Sequence, residues 1–333
     1  MANKKVIRIN YCGCWNSFNK QNNMFTTILS KHFDVEISDN PDFVICFNRG
    51  KPFEYMKYDC VRIMYMVENI SPDFTAFDYC IGFDFMEFGD RYLRLPFAFY
   101  TDNAVPWVPQ KLSREKAKEI LNNKKYFCNF IYGHQSSHGM REQLYYKLNE
   151  YKSVVSPGSY LNNINGSKKR CSWKEKHEYV AQSKFTIAGD SIHYPGFVTE
   201  KIIDSYIGHS IPIYYGSTRI YDDFNRNSFV CCENEKDLNS VIEQVKYLDN
   251  NDDAYIEMLI QQPLVTENYT IKLYEQLELF LVNIFTQDVN NAYRRVRDFC
   301  AGYHEKYLRE YMRYYKRQPE IVRKVMAKIS KGN

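Results

Sequence analysis

Two hydrophobic periods alternate along the chain. Apolar runs at 5–11, 43–47 and 61–67 are short and nearly unbroken, whereas 24–32 spaces its apolar residues three and four apart. Short continuous apolar runs separated by helical stretches predict buried parallel strands flanked by helices. Further short apolar runs fill 77–99, and 111–125 is polar, helical and rich in lysine, which reads as the connection between two units. The alternation restarts at 126–132. A helix is predicted over 140–151, a short strand at 154–155, a loop through Gly166, a helix at 173–183, a strand at 185–188, a helix at 200–207 and a strand at 211–215. From 237 to 283 the pattern is helical, with Val241, Val245 and Leu248 at spacings of three and four, and these helices are expected to complete the second unit.

The fold class is therefore α/β. A length of 333 residues exceeds what one core usually supports, so two domains are expected. The boundaries read from the pattern are 1–123 for the first, 124–290 for the second and 291–333 for a C-terminal tail.

Charge changes this picture in one place. The net charge of +4 demands no polyanion, and no nucleic acid partner is expected. From 303 to 333, however, nine Lys or Arg face three acids, leaving the rest of the chain slightly negative. In that tail Tyr307, Tyr311 and Tyr315, then Ile321, Val325 and Ile329, recur every four residues with basic residues between them and a break at Pro319. Such a basic amphipathic segment is expected either to rest on an anionic membrane surface or to pack across the domains.

The ten cysteines are scattered through apolar runs, as at Cys46, Cys80 and Cys128, which fits reduced core thiols. Cys12 and Cys14 lack the two-residue gap of zinc and redox motifs. No stretch reads as a signal peptide or a membrane span, so a cytoplasmic protein is expected, at most peripheral on the membrane.

The most informative chemistry is the run Tyr194-Pro195-Gly196-Phe197-Val198-Thr199-Glu200-Lys201 between a strand and a helix. Gly196 permits close backbone approach, Thr199 stands at the N-cap position, and the helix then offers free N–H groups with Lys201 beside them. That combination suits a diphosphate, with Glu200 placed to accept bonds from sugar hydroxyls; it also suits an ordinary capped helix. Arg141 opens another helix at a strand-to-helix junction, as a second phosphate clamp or as a surface arginine. Glu68 follows the apolar strand 61–67. It is either a general base at the mouth of the sheet or a loop glutamate.

No Asp-x-Asp pair occurs, so leaving-group charge is expected to fall to Arg141, Lys201 and the helix N-terminus, with no metal and no cofactor. Nucleotide-binding P-loop, dinucleotide and hydrolase-elbow motifs are absent from the sequence. His134, His138 and His193 lack a metal spacing and read as loop residues.

The run Phe197-Val198-Thr199-Glu200-Lys201-Ile202-Ile203-Asp204-Ser205-Tyr206, continuing through His209-Ser210-Ile211-Pro212-Ile213-Tyr214-Tyr215-Gly216-Ser217, resembles the donor-binding signature of the bacterial α1,3/4-fucosyltransferases. The similarity extends to Glu68-Asn69, to 77–84 and 90–96, to Phe127-Cys128-Asn129-Phe130 and to Ser159-Tyr160-Leu161-Asn162-Asn163. It covers about 61–264. The resemblance implies a GT-B arrangement, two Rossmann-like domains facing across a cleft with C-terminal helices. It implies inverting transfer of L-fucose from GDP-β-L-fucose to an acceptor oligosaccharide, at O3 of GlcNAc in a lactosamine-type glycan, without a metal.

By position, Glu68 resembles the family's base, Arg141 and Lys201 its diphosphate ligands, and Glu200 its contact to donor hydroxyls. Asp190, Phe197 and Thr199 complete the implied donor-binding set. Two residues depart from the pattern. Phe197 stands where tyrosine is usual, and Ala188-Gly189-Asp190 replaces Phe-Glu-Asn, with one extra residue before the signature. These departures keep two alternatives open: a non-catalytic GDP-sugar or glycan-binding protein, and a transferase for a different GDP-sugar.

Overall fold

A computed structural model describes residues 4–136, 139–164, 171–295 and 299–329. The first sheet holds β1 (Val6–Cys12), β2 (Asp34–Ile37), β3 (Phe43–Phe47), β4 (Val61–Tyr65), β5 (Tyr79–Gly82) and β6 (Tyr92–Arg94) in the order β2-β1-β3-β4-β5-β6. Every neighbouring pair is parallel. The second sheet holds β7 (Tyr126–Asn129), β8 (Val154–Val155), β9 (Ser183–Gly189), β10 (Ile211–Tyr215) and β11 (Val230–Cys231) in the order β11-β10-β9-β7-β8, again all parallel. This is the GT-B arrangement.

The unbroken apolar strands follow from burial on two faces. Phe43, Ile45 and Phe47 of β3 enter one core cluster, and Val44 and Cys46 enter another on the opposite face. Alternation of side chains along a strand thus divides one apolar run between two cores.

Helices α1 (Met24–Ser30), α2 (Arg114–Asn122), α3 (Met140–Tyr151), α4 (Trp173–Gln182), α5 (Glu200–Ile207), α6 (Leu238–Asn250), α7 (Asp252–Leu259), α8 (Tyr269–Thr286) and α9 (Val289–Ala292) cover the sheets, followed by α10 (Phe299–Arg317) and α11 (Glu320–Ile329). Their allocation differs from the expected boundaries at both ends of the second domain. Helix α2 does not float as a connection: Ala117 and Leu121 are buried in the second core. Helix α8 leaves the second domain altogether and packs Leu273, Leu277, Leu281, Ile284 and Phe285 into the first core. There Phe285 meets Phe43 at 4.5 Å between ring centroids, and the Lys5 ammonium donates to the carbonyls of Phe285 and Gln287 at 2.9 and 3.0 Å. An amphipathic stripe states that a helix is buried along one face; it does not say against which sheet.

The segment after α9 is tied back to the first sheet by charge. Asp78, fully buried, accepts the backbone N–H groups of Arg62, Arg294 and Arg295 at 2.7, 2.8 and 2.8 Å, and pairs with the Arg295 guanidinium. Arg62, also fully buried and on the same face of β4 as Met64, reaches Glu305 of α10 at 3.0 Å. Burial alone would raise the Glu305 carboxyl, but Arg62 and Arg309 hold it near 2 instead of its ordinary 4.5. The tail therefore docks on the first domain through Glu305, while Tyr307 and Tyr314 of α10 and Ile321 and Val325 of α11 stay exposed.

Glu305→Gln leaves the Arg62 charge buried without its partner. We expect the melting temperature to drop by a few degrees, a cost of about 2 kcal/mol because the Glu305 end of the pair is partly wet. Since the folded carboxyl is depressed, the wild-type contribution is complete above about 4.5 and disappears as the pH falls toward 2, so the two proteins should converge in stability at the acid end. Thermal denaturation as a function of pH checks both points.

Candidate active site

In parallel α/β sheets the ligand crevice opens beyond the carboxyl ends of the strands, where the strand order reverses. That point lies between β7 and β9 in the second sheet and between β1 and β3 in the first. The two carboxyl edges meet. Phe83 and Asp84, which follow β5, receive the loop that leaves β9. The Tyr194 hydroxyl donates to Asp84 at 2.7 Å, Phe197 packs edge-on against Phe83 at 5.1 Å, and the Ala98 N–H donates to the Val198 carbonyl at 3.1 Å.

The second-domain half is built on two helix N-termini. Arg141, second residue of α3, is buried, with its guanidinium 4.1 Å from the centre of the Tyr132 ring and donating to the His134 carbonyl at 2.5 Å. Tyr132 is in turn fixed to the end of β9. Its hydroxyl donates to the carbonyls of Ile187 and Gly189 at 2.8 and 3.0 Å and accepts the Gly189 N–H at 2.8 Å. A Cβ at Gly189 would lie 2.8 Å from the Arg141 Cβ, so glycine is what lets β9 approach the arginine.

Thr199 occupies the N-cap position of α5 without capping it. Its hydroxyl donates instead to the Asp190 carboxylate and accepts from the Lys201 ammonium at 2.9 Å. Asp190, buried, also accepts from the Tyr214 hydroxyl at 3.1 Å and lies 3.7 Å from the Lys201 ammonium. Burial pushes the Asp190 carboxyl above its ordinary range. Burial pulls Lys201 the other way from its neighbours, yet Glu200 and Asp190 keep it above its ordinary value and so cationic at neutral pH. Glu200 stays below the usual carboxylate range despite burial, because Lys201 and Lys176 stand 3.7 and 3.8 Å from it.

The first-domain half carries Glu68, three residues past β4. Asn48 fixes its backbone, accepting the Val67 and Glu68 N–H groups at 2.8 and 3.0 Å and donating to the Glu68 carbonyl at 3.1 Å. Arg49 ion-pairs with the carboxylate, which remains about half exposed toward solvent.

Of the residues singled out in sequence, Arg141, Asp190, Thr199, Glu200 and Lys201 come together in one cluster, and Glu68 lies on the facing domain. Phe197 does not join the cluster. It is 3% exposed and sits in the first domain's core with Phe83, Met64 and Cys80. An aromatic ring without a hydroxyl gains more from that apolar slot than from a polar site. Gly196 makes the insertion possible, since its φ is +83° and a Cβ there would lie 2.2 Å from the Phe83 carbonyl oxygen. His193 stacks on Tyr215 at 5.3 Å beside a cleft of about 230 Å³, the His134 carbonyl serves Arg141, and His138 lies outside the described residues.

Sequence reasoning passed over Tyr132, Lys176, Asn48 and Arg49. Lys176 lies in α4, where it pairs with Asp204 at 2.5 Å as well as facing Glu200, and no local pattern connects it to α5. Also missed was the seam. Arg94 forms a bidentate pair with buried Asp223 at 2.8 and 2.7 Å, and the guanidiniums of Arg94 and Arg219 lie 3.9 and 3.5 Å from the centre of the Phe85 ring.

Comparison with known proteins points the same way. The family model described as the alpha-(1,3)-fucosyltransferase FucT N-terminal domain matches residues 9–100, and that of glycosyltransferase family 10 (fucosyltransferase) C-term matches 121–269. An alpha-(1,3)-fucosyltransferase FucT from Helicobacter pylori is 30% identical over 302 residues, 81% of this chain. This chain spans 62% of that protein's length. A crystal structure of an alpha1,3-fucosyltransferase superposes with a TM-score of 0.72 at 27% identity, covering 89% of this chain and 93% of that one. An alpha1,3-fucosyltransferase solved with GDP-fucose gives 0.63 at 27% identity, covering 84% and 92%. With two family models meeting its two domains in order, the chain belongs to the glycosyltransferase family 10 fucosyltransferases.

Proposed function

We propose that the protein is an inverting α1,3-fucosyltransferase that moves L-fucose from GDP-β-L-fucose to a hydroxyl of a lactosamine-type acceptor, O3 of GlcNAc. The observation that carries this reading is the pairing across the cleft: a carboxylate held at the mouth of one sheet, and Arg141 with Lys201 at two helix N-termini of the other. Glu68 takes the proton from the acceptor hydroxyl as its oxygen attacks the anomeric carbon. The bond to the diphosphate breaks on the opposite face, so the β-linked donor gives an α-linked product. Negative charge grows on the departing GDP, and Arg141, Lys201 and the N-terminus of α5 are the groups to receive it, without a metal ion. Glu200, held ionised by Lys201 and Lys176, is placed to accept bonds from donor hydroxyls. Asp190 acts through its neighbours, fixing Thr199 and Lys201.

Nine of the ten cysteines, those whose side chains are described, are free thiols, and we place the enzyme in the reducing cytoplasm. No described helix is long and apolar enough to cross a membrane. We assign the basic tail 303–333, with its exposed Tyr303, Tyr307, Tyr311 and Tyr314, to an anionic membrane surface, with Glu305 turned inward as the anchor. Co-sedimentation with phosphatidylglycerol vesicles should be strong at low salt, weak at high salt and lost on deleting 303–333.

GDP release from GDP-fucose, measured in EDTA with and without N-acetyllactosamine, tests the reaction itself. Acceptor-stimulated release is expected; GDP binding without release would leave a GDP-sugar-binding protein. Glu68→Gln should cut transfer by about a thousandfold while GDP affinity stays within about twofold. Lys201→Ala should weaken GDP binding by about tenfold and slow transfer further.

Asp190→Asn keeps a side chain able to bond Thr199 and Tyr214 but removes an anion beside Lys201, so calorimetry should show GDP binding tightened by about threefold to tenfold. Because the buried Asp190 carboxyl is raised, the wild type should bind GDP more tightly as the pH falls and this group loses its charge, and the variant should lack that part of the slope.

A further inference from the structure

The strand order of the first sheet reverses between β1 and β3, and the chain leaving the carboxyl edge there carries an aromatic rim. Trp15, three residues past β1, meets Phe18, Phe47 and Tyr100 edge-on at centroid distances of 5.3, 5.6 and 5.8 Å. Phe97 stacks on Tyr100 at 5.7 Å with an interplanar angle of 19°. Trp15, Phe18, Phe97 and Tyr100 are all half-buried, above a layer containing Phe47 and Tyr65 that is buried. Tyr65 carries the rim directly, 5.9 Å from Tyr100 and 5.6 Å from Phe47. Packed on the core by one side, these four partly exposed rings present a continuous apolar surface beyond the carboxyl edge of the first sheet.

Both halves of the active site border this rim. The Gly13 carbonyl, two residues before Trp15, accepts the Arg49 and Gly50 N–H groups at 3.0 and 2.5 Å, and the Arg49 guanidinium grips Glu68. On the other side the Ala98 N–H, between Phe97 and Tyr100 in sequence, bonds the Val198 carbonyl two residues before Glu200. A ligand on these rings would therefore lie between the base and the donor loop.

The chemistry of the rings selects the ligand. A pyranose presents one face of C–H groups, apolar and about the size of an aromatic ring, with its hydroxyls directed outward around the edge. Burying that face against aromatic rings removes apolar surface from water and leaves the hydroxyls free to meet polar groups. We propose that Trp15, Phe97 and Tyr100 form the acceptor subsite, holding the apolar face of an acceptor pyranose so that one of its hydroxyls points to Glu68. This inference rests on the fucosyl-transfer reading above and names how its acceptor is held.

The test uses full-length protein, N-acetyllactosamine as the probe, and the variants Trp15→Ala and Trp15→Phe. At saturating GDP-fucose, Trp15→Ala should raise KM for N-acetyllactosamine by about tenfold, and Trp15→Phe, which keeps a ring, by distinctly less. GDP affinity by calorimetry should stay within about twofold for both, which shows that the fold and donor half are intact. Acceptor KM within twofold of wild type in Trp15→Ala overturns the subsite and leaves fucosyl transfer standing. If wild type turns over no GDP-fucose, the reaction assignment fails, and the subsite is then judged by binding alone. A tryptophan fluorescence change on adding N-acetyllactosamine to the GDP complex, lost in Trp15→Phe, supports it; no change in wild type overturns it.

Discussion

Everything at the cleft depends on holding two independent sheets in one register, and the interaction that does so is the buried pair between Arg94 and Asp223. The carboxylate is fully buried, receives both guanidinium N–H groups, and takes a further bond from the Tyr269 hydroxyl. Desolvation of two charges is costly, and such a pair returns that cost only where the geometry is bidentate and the remaining lone pairs are satisfied, as here. Its value is therefore more in specificity than in net stability. A sliding interface would move Asp223 off the fork and leave both charges unpaired in a dry seam. Phe197 in its slot beside Phe83 and the Tyr194 bond to Asp84 add two fixed points from the loop that carries the donor signature. Transfer between two bound sugars tolerates little misplacement of the reacting atoms, so a registered seam is a requirement of the reaction.

In the proposed reaction the second-domain half meets a further constraint, that cations awaiting a diphosphate must be stored. Lys201 has Thr199, Asp190 and Glu200 as neighbours, Lys176 is held by Asp204 and Glu200, and Arg141 lies over the Tyr132 ring. Each positive charge is oriented before the ligand arrives, which lowers the reorganisation needed when charge develops on the leaving group. Storage also opposes binding, since Asp190 competes for the same ammonium. A buried carboxyl with a raised pKa softens that competition.

Much of this was legible in the sequence. Apolar runs on a helical background gave the parallel sheets, and the Thr-Glu-Lys block located α5, because strand ends and helix starts leave local marks. The allocation of α8 was not legible, since Leu273, Leu277 and Leu281 state only that one face is buried. The placement of Phe197 was not legible for a related reason: nothing local signals that Gly196 turns the chain so that this ring enters the other domain. Thr199 looked like a cap and is a bridge between Asp190 and Lys201. Arg94, Asp223 and Lys176 were invisible because each acquires meaning from a partner more than twenty residues away.

The two departures from the family pattern can now be weighed together. Phe197 has no polar duty to lose, because the side chain at this position is spent on the seam. Asp190 accepts Thr199 on one oxygen and Tyr214 on the other; an asparagine would keep one of these bonds through its oxygen and donate to the other hydroxyl through its amide nitrogen, so its change from asparagine alters charge more than shape. A buried anion added at unchanged geometry is costly to the fold unless a cation is already close, and Lys201 at 3.7 Å is that cation. Neither departure removes a group that the proposed transfer uses. The variation sits in the supports of the site, whereas Glu68, Arg141 and Lys201, which meet the reacting atoms and the departing charge in the proposed reaction, stand at the carboxyl edges where parallel sheets hold their ligands.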